Sequence, residues 1–306
     1  MILTRRRTLM TAAGATLAAP AIVHAQAAPW TYATYTAAMK ASGRNVKISA
    51  DDWADMQKRR PRALGTINGV LSHHFGQADP EIMRAFREVP REYYHYDYGA
   101  QADFASVAYE AESKPWRIGL GSALSDYRGQ AYMTQLCKPT ADSVALEVGT
   151  GSGFQISILS RIVKKARSIE IIEPLGKAVA RIFEPLGFNK NLETRIGDGF
   201  FGWPEEKDGF DLIMVTCVAQ YVPPPLLKQL KPGGRLVIPI GQPFKREQFL
   251  YVFSKDADGK VHSKKDIGVY FIPMTGAMQK EPPPPADAPT PAPVKPDADK
   301  GAPSKT

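Results

Sequence analysis

Apolar runs alternate with stretches of helical spacing from the middle of the chain onward. The first run, Val144–Val148, predicts a buried strand, and apolar residues at helical intervals over residues 155–166 predict the helix after it. The same pattern then predicts strands over 168–172, 192–196, 210–216 and 234–240, and helices over 173–187 and 223–230. Such alternation is typical of a parallel sheet with helices on both faces.

Two further strands are predicted near the end, over residues 248–254 and 267–273, with a hairpin loop at residues 256–259 between them. Residues 231–234, Lys-Pro-Gly-Gly, have the composition of a helix end, and we interpret them as a break before the next strand. In sheets of this kind, ligands bind at the carboxyl ends of the strands. The residues that follow each predicted strand are therefore the candidates for function.

Three glycines at alternate positions, Gly149, Gly151 and Gly153, follow the first strand. Glycine has no β-carbon, so its backbone can come within contact distance of a ligand and adopt positive φ. A dinucleotide-binding turn has the spacing G-x-G-x-x-G, which this chain does not match. The turn therefore favours a nucleoside cofactor without a pyrophosphate.

Acidic residues lie at the ends of three successive strands. Glu147 precedes the glycine turn, and Glu170 lies in the next apolar run, where a ribose diol would be held. Asp198 ends the third strand, where its carboxylate can accept a hydrogen bond from an adenine amino group and Gly199 leaves room for the ring. Because S-adenosylmethionine carries cationic groups that suit carboxylates, we predict it as the cofactor. The alternative interpretation is a tight turn with ordinary surface acids.

The two ends of the chain differ from the rest in composition. Residues 1–25 contain three consecutive arginines, a small-residue apolar stretch and an A-x-A-like site, which predicts a cleaved export signal of the twin-arginine type and a periplasmic location. A helix needs about 20 apolar residues to span a bilayer, and this apolar stretch is shorter, so we expect no membrane span. Residues 280–306 are dominated by Pro, Ala, Lys and Asp, which predicts a disordered tail.

Composition excludes several classes of function. The formal net charge of +8 becomes +5 without the three arginines (8 minus 3), and no basic run is interleaved with aromatics, so we expect no nucleic-acid partner. We interpret Cys137 and Cys217 as free thiols. The histidines lack the spacing of a metal site, and we expect none. We expect a monomer.

Several segments in order resemble the protein-L-isoaspartate O-methyltransferase family: VPREY at residues 89–93, LEVGTGSGF, GDG, LKQLKPGGRLVIPIG and VYFIPMTG. The resemblance covers residues 67–279 as a methyltransferase domain, preceded by a helical extension over residues 26–66. It implies a Rossmann-like α/β fold with a mostly parallel seven-stranded sheet. It also implies S-adenosylmethionine-dependent methyl transfer to the carboxylate of L-isoaspartyl residues, so that the partner is a damaged protein or peptide.

The resemblance also implies roles for individual residues. The cofactor would contact Ser122, Glu147, Gly149, Gly151, Gly153, Glu170, Asp198, Gly199 and Thr275. Ser125 would supply the active-site hydroxyl, although residues 121–125 keep only the first glycine and the last serine of the family's G-Q-T-I-S segment. Asp126 adds a negative charge beside an anionic acceptor, which Arg128 or Arg117 would have to compensate.

The altered segment leaves two alternatives open, a methyltransferase for another carboxylate or small molecule and a non-catalytic exported binding protein with this fold. The absence of a histidine or cysteine dyad does not argue against an enzyme. A carboxylate acceptor is already ionised at neutral pH, so methyl transfer needs alignment and exclusion of water rather than a base.

Overall fold

In the computed structural model of the 306-residue chain, residues 29–280 are described. The predicted export signal and almost all of the predicted tail lie outside these residues. The helices are α1 Tyr32–Ala41, α2 Ala50–Phe75, α3 Pro80–Glu88, α4 Tyr127–Cys137, α5 Phe154–Ser160, α6 Glu173–Val179, α7 Pro224–Gln229 and α8 Ala277–Lys280. The strands are β1 Tyr96–Asp97, β2 Ala102–Asp103, β3 Trp116–Gly119, β4 Ser122–Leu124, β5 Val144–Val148, β6 Lys165–Glu170, β7 Leu192–Ile196, β8 Phe210–Val215, β9 Leu230–Gly241, β10 Gln248–Lys255 and β11 Val261–Val269.

Seven strands form one sheet in the order β11-β10-β9-β8-β5-β6-β7. The five strands from β9 to β7 are parallel neighbours, whereas β10 pairs antiparallel with both β9 and β11. This arrangement confirms the predicted Rossmann-like, mostly parallel seven-stranded sheet. The carboxyl ends of β5, β6 and β7 are adjacent in that order, which brings the three strand-end acids to one edge.

Alternate residues of the central strands face two separate apolar cores. Leu212 and Met214 of β8 pack in the core that includes α1 to α5, while Ile213 and Val215 pack in the core that includes α7. This division follows from the period of two along a strand. The sheet is therefore covered on both faces, as the continuous apolar strands predict.

Two predicted helices end earlier than their apolar patterns indicate. The helix predicted over residues 155–166 ends at Ser160, because the side-chain amide of Asn191 donates to the carbonyl oxygens of Ser160 and Val163 and turns the chain into β6. The helix predicted over residues 173–187 ends at Val179, and a short 3-10 turn that contains Pro185 follows. Apolar residues beyond both ends stay buried in turns, so their periodicity does not mark the helix end.

The last strand and the Lys-Pro-Gly-Gly segment also differ from the prediction. The strand predicted over residues 267–273 is Val261–Val269, and the apolar residues after it form no sheet strand. They run beside the end of β8, where the Val218 amide donates to the Ile272 carbonyl and the Met274 amide donates to the Val218 carbonyl. Residues 231–234 do not separate two elements but form an irregular part of β9, where the register with β8 shifts.

Helices α1 and α2 pack on the core beneath the sheet. Tyr35 of α1 and Leu71 of α2 are fully buried there, and α2 continues past residue 66 without a break. None of the helices in residues 29–280 combines the length and apolar character that crossing a bilayer requires.

Candidate active site

A cavity of about 940 Å³ opens at the carboxyl ends of the central strands. Its walls come from the glycine turn, the segment from β4 into α4, and residues 267–275 after the last hairpin. Nine of the ten predicted site residues line it together: Ser122, Ser125, Glu147, Gly149, Gly151, Glu170, Asp198, Gly199 and Thr275. Gly153, the tenth, is not among the lining residues.

The glycine turn presents its backbone to the cavity because side chains have no room there. Gly149 has a φ of 95°, and a β-carbon on it would lie 2.5 Å from Thr216 Oγ1. The Thr216 hydroxyl donates to the Gly149 carbonyl at 2.7 Å, which fixes the turn against the end of β8. Gly151, with a φ of 53°, faces the Ser122 hydroxyl across the cavity wall. A side chain at Gly149 would therefore collide with the end of β8, and both glycines leave the backbone of the turn uncovered at the cavity.

Gly153 serves packing rather than the cavity. Its φ is 82°, and a β-carbon would lie 3.0 Å from side-chain atoms of Val179, Ile182 and Phe183. The residue begins α5 with its backbone in the left-handed region and lets this helix approach the segment that includes α6. The structure thus places this glycine outside the lining of the cavity, and its predicted cofactor contact stays a prediction.

Glu170 holds the glycine turn in place. One carboxylate oxygen accepts from the Gly151 amide at 2.8 Å and the other accepts from the Ile172 amide at 3.0 Å. Burial raises the pKa of Glu170, while the backbone amides that it accepts from oppose that rise. Each oxygen keeps a second lone pair, so the carboxylate can still accept from a diol.

Glu147 is fully buried and only half satisfied. Its Oε2 accepts from the Ser168 hydroxyl, but its Oε1 has no hydrogen-bond partner within residues 29–280. Burial raises the pKa of Glu147 well above its usual value, and the nearby Glu170 adds to the rise. A buried carboxylate oxygen without a donor favours a ligand that brings N–H groups or positive charge.

Asp198 joins the end of β7 to the segment that closes the cavity. Its Oδ1 accepts from the Phe200 amide at 3.0 Å, and its Oδ2 accepts from the Ala277 amide at 2.7 Å. The second bond anchors the chain just after Thr275. Gly199 is required by packing as well, because a β-carbon there would lie 2.3 Å from Val148 Cγ1.

The segment from β4 into α4, which forms one wall of the cavity, is held by a buried arginine. Arg91 is 2% exposed, and its guanidinium donates to the Ser125 carbonyl at 2.7 Å and to Gln130 Oε1 at 2.7 Å. Burial lowers the pKa of Arg91 to about 10. The sequence analysis includes Arg91 only as part of the VPREY segment. No local sequence pattern indicates that its side chain contacts Ser125.

Asp126 is the N-cap of α4, and this position accounts for the negative charge that the sequence places in the segment. Its side chain accepts from the Gly129 amide at 2.9 Å and from the Arg128 amide at 3.1 Å. A helix N-terminus stabilises a carboxylate, and the Arg128 guanidinium lies 3.8 Å from it. Arg128 lines the cavity, whereas Arg117 in β3 does not.

The outer rim of the cavity is apolar and open. Phe244 is 74% exposed and Tyr270 is 60% exposed, and both line the cavity together with Ile267 and Ile272. Exposed large apolar side chains at a cleft mark a surface that binds other molecules. The rim therefore offers exposed apolar surface to a ligand that extends out of the cavity.

Within residues 29–280, no three histidine, cysteine or acidic side chains come together as metal ligands. Cys137 and Cys217 are both free thiols. Cys217 lines the cavity, and burial raises its pKa, so that it stays protonated near neutral pH.

Comparisons with known proteins identify the family to which this chain is similar. The sequence profile of the protein-L-isoaspartate(D-aspartate) O-methyltransferase (PCMT) family matches residues 70–279. Protein-L-isoaspartate O-methyltransferase 1 of Nitrosospira multiformis is 38% identical over 247 residues, which cover 81% of this chain and 98% of the relative. Protein-L-isoaspartate O-methyltransferase 2 of Syntrophobacter fumaroxidans is 42% identical over 238 residues, which cover 77% of this chain and 92% of the relative.

Two solved structures share the fold. One, a protein-L-isoaspartate O-methyltransferase, superposes with a TM-score of 0.61 at 26% identity and covers 72% of this chain and 67% of its own. The other is a putative protein-L-isoaspartate O-methyltransferase from Plasmodium falciparum in complex with S-adenosyl-L-homocysteine, with a TM-score of 0.56 at 19% identity. It covers 69% of this chain and 97% of its own, and it supports the fold alone.

Proposed function

The chain belongs to the protein-L-isoaspartate(D-aspartate) O-methyltransferase family, and from this membership we propose that it methylates the carboxylate of L-isoaspartyl residues in damaged protein, with S-adenosylmethionine as methyl donor. The observation that carries the proposal is the meeting of nine predicted site residues at one cavity. One cavity is lined by the backbone of the glycine turn, by the acids near the strand ends and by the Ser125 segment. The proposed activity is protein repair.

The residues present fit the cofactor. We assign the ribose diol to Glu170, whose oxygens keep free lone pairs, and the adenine amino group to Asp198. Glu147 at the end of β5 would lie nearest the amino-acid portion. The backbone of Gly149 and Gly151 would approach the centre of the molecule, while Ser122, Gly199 and Thr275 complete the walls.

The cofactor supplies a methyl group on a positively charged sulfur. An oxygen of the acceptor carboxylate forms the new bond to the methyl carbon as the carbon–sulfur bond breaks, so the products are a methyl ester and S-adenosylhomocysteine. No proton is transferred, because the acceptor is already ionised. The protein's task is alignment and exclusion of water.

The acceptor side of the cavity favours a carboxylate. Arg91 places a buried positive charge beneath Ser125, and the N-terminus of α4 is directed toward the same segment. Asp126 accepts from the backbone amides at the N-terminus of α4, which offsets part of its negative charge. We propose that the Ser125 hydroxyl contacts the acceptor carboxylate and that Arg91 positions Ser125.

The rim favours a polypeptide over a small metabolite. Phe244 and Tyr270 extend from the cavity into solvent, where a short ligand would leave them uncovered. A peptide on either side of the isoaspartyl residue would bury them, and burial of apolar area contributes about 25 cal/mol per Å².

The test is methyl transfer to paired peptides that differ only in the linkage of one aspartyl residue. With labelled S-adenosylmethionine, we expect the isoaspartyl peptide to be methylated and its aspartyl twin to be spared. At limiting S-adenosylmethionine, Asp198→Ala is expected to lower labelling by at least about 10-fold, whereas Asp208→Ala, which removes an exposed acid outside the cavity, is expected to leave it unchanged. Equal labelling of both peptides, or methylation of small molecules alone, would contradict the proposed acceptor.

We also propose that the protein is exported and acts as a monomer in the periplasm. The support for export is the consecutive arginines and the apolar stretch within residues 1–25. Fractionation of producing cells, with the arginine pair at positions 5 and 6 replaced by lysines as control, would test export. Light scattering on the purified protein would test the monomer.

A further inference from the structure

Phe244 is an exposed aromatic residue whose backbone adopts a conformation that favours glycine. Its φ is 60°, and of the four non-glycine residues with positive φ in residues 29–280 it is the only aromatic one. It lies in the turn between β9 and β10, where the Lys245 amide donates to the Gln242 carbonyl at 3.2 Å. A side chain at positive φ strains the backbone, so phenylalanine at this position destabilises the fold relative to glycine.

The packing of the Phe244 ring does not compensate for this strain. The ring belongs to neither of the two apolar cores and is 74% exposed, so it buries little area in the folded chain. The residue is therefore unfavourable for the fold both through its backbone and through its exposed side chain. Strain of this kind is found where a residue is needed for binding, and Phe244 lies at the rim of the cavity.

The rim around Phe244 is formed by two segments of the chain. Val269 at the end of β11 pairs with Gln248 at the start of β10, which brings the residues after β11 to the same edge of the sheet as the Phe244 turn. Tyr270 and Ile272 follow β11, and both are exposed and line the same cavity as Phe244. A peptide side chain at this rim therefore meets apolar surface from both segments.

Two exposed basic residues come directly after this aromatic residue. Lys245 and Arg246 form no ion pair within residues 29–280. Residues 242–247 contain one acid, Glu247, so the turn carries a net charge of +1 (2 minus 1). Because complementary charges favour association and exclude the wrong partner, this surface favours an acidic peptide over a basic one.

We propose that Phe244 binds an apolar side chain next to the isoaspartyl residue of the polypeptide substrate, and that Lys245 and Arg246 bind acidic residues farther along the same segment. Phe244 is then a specificity-determining residue. The preferred substrate is a damaged segment with apolar and acidic neighbours rather than any isoaspartyl site. This inference rests on the proposed function and adds the sequence preference that the proposed function leaves open.

The first test is methyl transfer to isoaspartyl peptides in pairs, with either leucine or glycine next to the isoaspartyl residue. The varied position precedes this residue in one pair and follows it in a second pair. In at least one pair, the wild-type KM should be about 10-fold lower for the leucine peptide, the size of one well-buried apolar contact. Phe244→Ala should raise the KM for that leucine peptide by about 10-fold and the KM for its glycine twin by less than about twofold. Equal increases for both peptides, or no increase for either, would overturn the proposal.

Phe244→Gly separates binding from the strain of the backbone. It removes the ring and relieves the strain, so the urea midpoint of unfolding should rise above that of Phe244→Ala, while KM for the leucine peptide rises equally in both variants. Phe201→Ala is the matched control, because Phe201 is 49% exposed and does not line the cavity, and its KM should equal that of the wild-type protein. A changed urea midpoint with unchanged KM in both Phe244 variants would overturn the proposal, because Phe244 would then affect only the fold.

The double variant Lys245→Gln and Arg246→Gln tests the acidic part of the preference. It should raise KM by about threefold for a leucine peptide that also carries glutamates, the size of an exposed ion pair, and leave the glutamine twin unchanged. Added salt should weaken the glutamate peptide in the same way with the wild-type protein. A glutamate peptide that binds no better than its glutamine twin would overturn the proposed acidic preference. If the wild-type protein methylates none of these isoaspartyl peptides, the proposed function itself fails, which is a distinct outcome.

Discussion

Replacement of Arg91 by methionine is expected to weaken both the fold and the binding of the acceptor, while the affinity for S-adenosylhomocysteine stays the same. The guanidinium bridges two parts of the site that are distant in sequence. It donates to the Ser125 carbonyl and to Gln130 Oε1, and it lies 5.0 Å from the centroid of the Phe154 ring at the start of α5. Loss of the side chain should therefore loosen the segment that contains Ser125 from the start of α5.

The magnitude follows from the two acceptors that would lose their donor. Each buried acceptor left unsatisfied costs about 1–3 kcal/mol, so the gross loss is about 2–6 kcal/mol. Within the described residues no carboxylate forms an ion pair with Arg91, so removal of a buried cation returns part of that cost. We expect the free energy of unfolding to fall by about 2–4 kcal/mol.

The assay combines urea unfolding with steady-state kinetics on an isoaspartyl peptide. Loss of the buried charge should raise KM for the peptide by about 10-fold, or about 1.4 kcal/mol, with a smaller effect on kcat. Arg91→Lys keeps the positive charge but lacks the planar guanidinium, so its KM for the peptide should lie between those of the wild-type protein and Arg91→Met. A stability loss with unchanged peptide KM would refute the reasoning, because Arg91 would then support only the fold.

Three other variants test separate parts of the site. Asp198→Ala removes the acceptor for the amides of Phe200 and Ala277, so S-adenosylhomocysteine affinity should fall at least about 10-fold and amide exchange near residue 277 should accelerate, as calorimetry and hydrogen exchange would measure. Gly153→Ala should lower the free energy of unfolding in urea by about 1–2 kcal/mol, because a side chain is disfavoured at a φ of 82°. Glu147 has a raised pKa in the folded state, so its contribution to stability is present below the usual value of 4.5 and is lost as pH rises through the folded pKa. Glu147→Gln should therefore become more stable relative to wild type from pH 5 to pH 8 in urea titrations, and a constant difference would contradict the shift.

The strand-end acids could be predicted from the sequence because each depends on a local pattern. An apolar run marks a buried strand, and the polar residue that ends it lies at the carboxyl edge of a parallel sheet. Glu170 ends β6, Glu147 lies one residue before the end of β5, and Asp198 lies two residues after the end of β7; all three line the cavity. Their order across the edge follows from the strand order, which the right-handed crossover rule restricts to few possibilities.

The features that sequence reasoning did not foresee depend on contacts between segments that are far apart in the chain. Gln155 has the same local signal as a buried helix residue, and only the Thr134 hydroxyl on α4 shows which way its amide points. The apolar run after β11 has a strand's composition, yet its backbone pairs with Val218 at the end of β8 instead of extending the hairpin. Gly153 belongs to the expected turn, but its environment is the packed side chains after α6. In each case the deciding partner is far along the chain.

The N-terminal helices reach the active site through the same buried turn that holds Arg91. Glu92 is fully buried, and its carboxyl group accepts from Trp30 Nε1 at 2.8 Å, from the Tyr109 hydroxyl at 2.6 Å and from the side-chain amide of Gln57 on α2. Since no cation is among these donors, the neighbouring residues Arg91 and Glu92 are each held by neutral partners on opposite sides of one turn. One side chain of the pair fixes the turn to the N-terminal segment, and the other fixes it to the Ser125 segment. The extension thus contributes to the geometry of the acceptor site from a position outside the cavity, which explains why a segment upstream of the family match is packed into the core rather than attached at the surface.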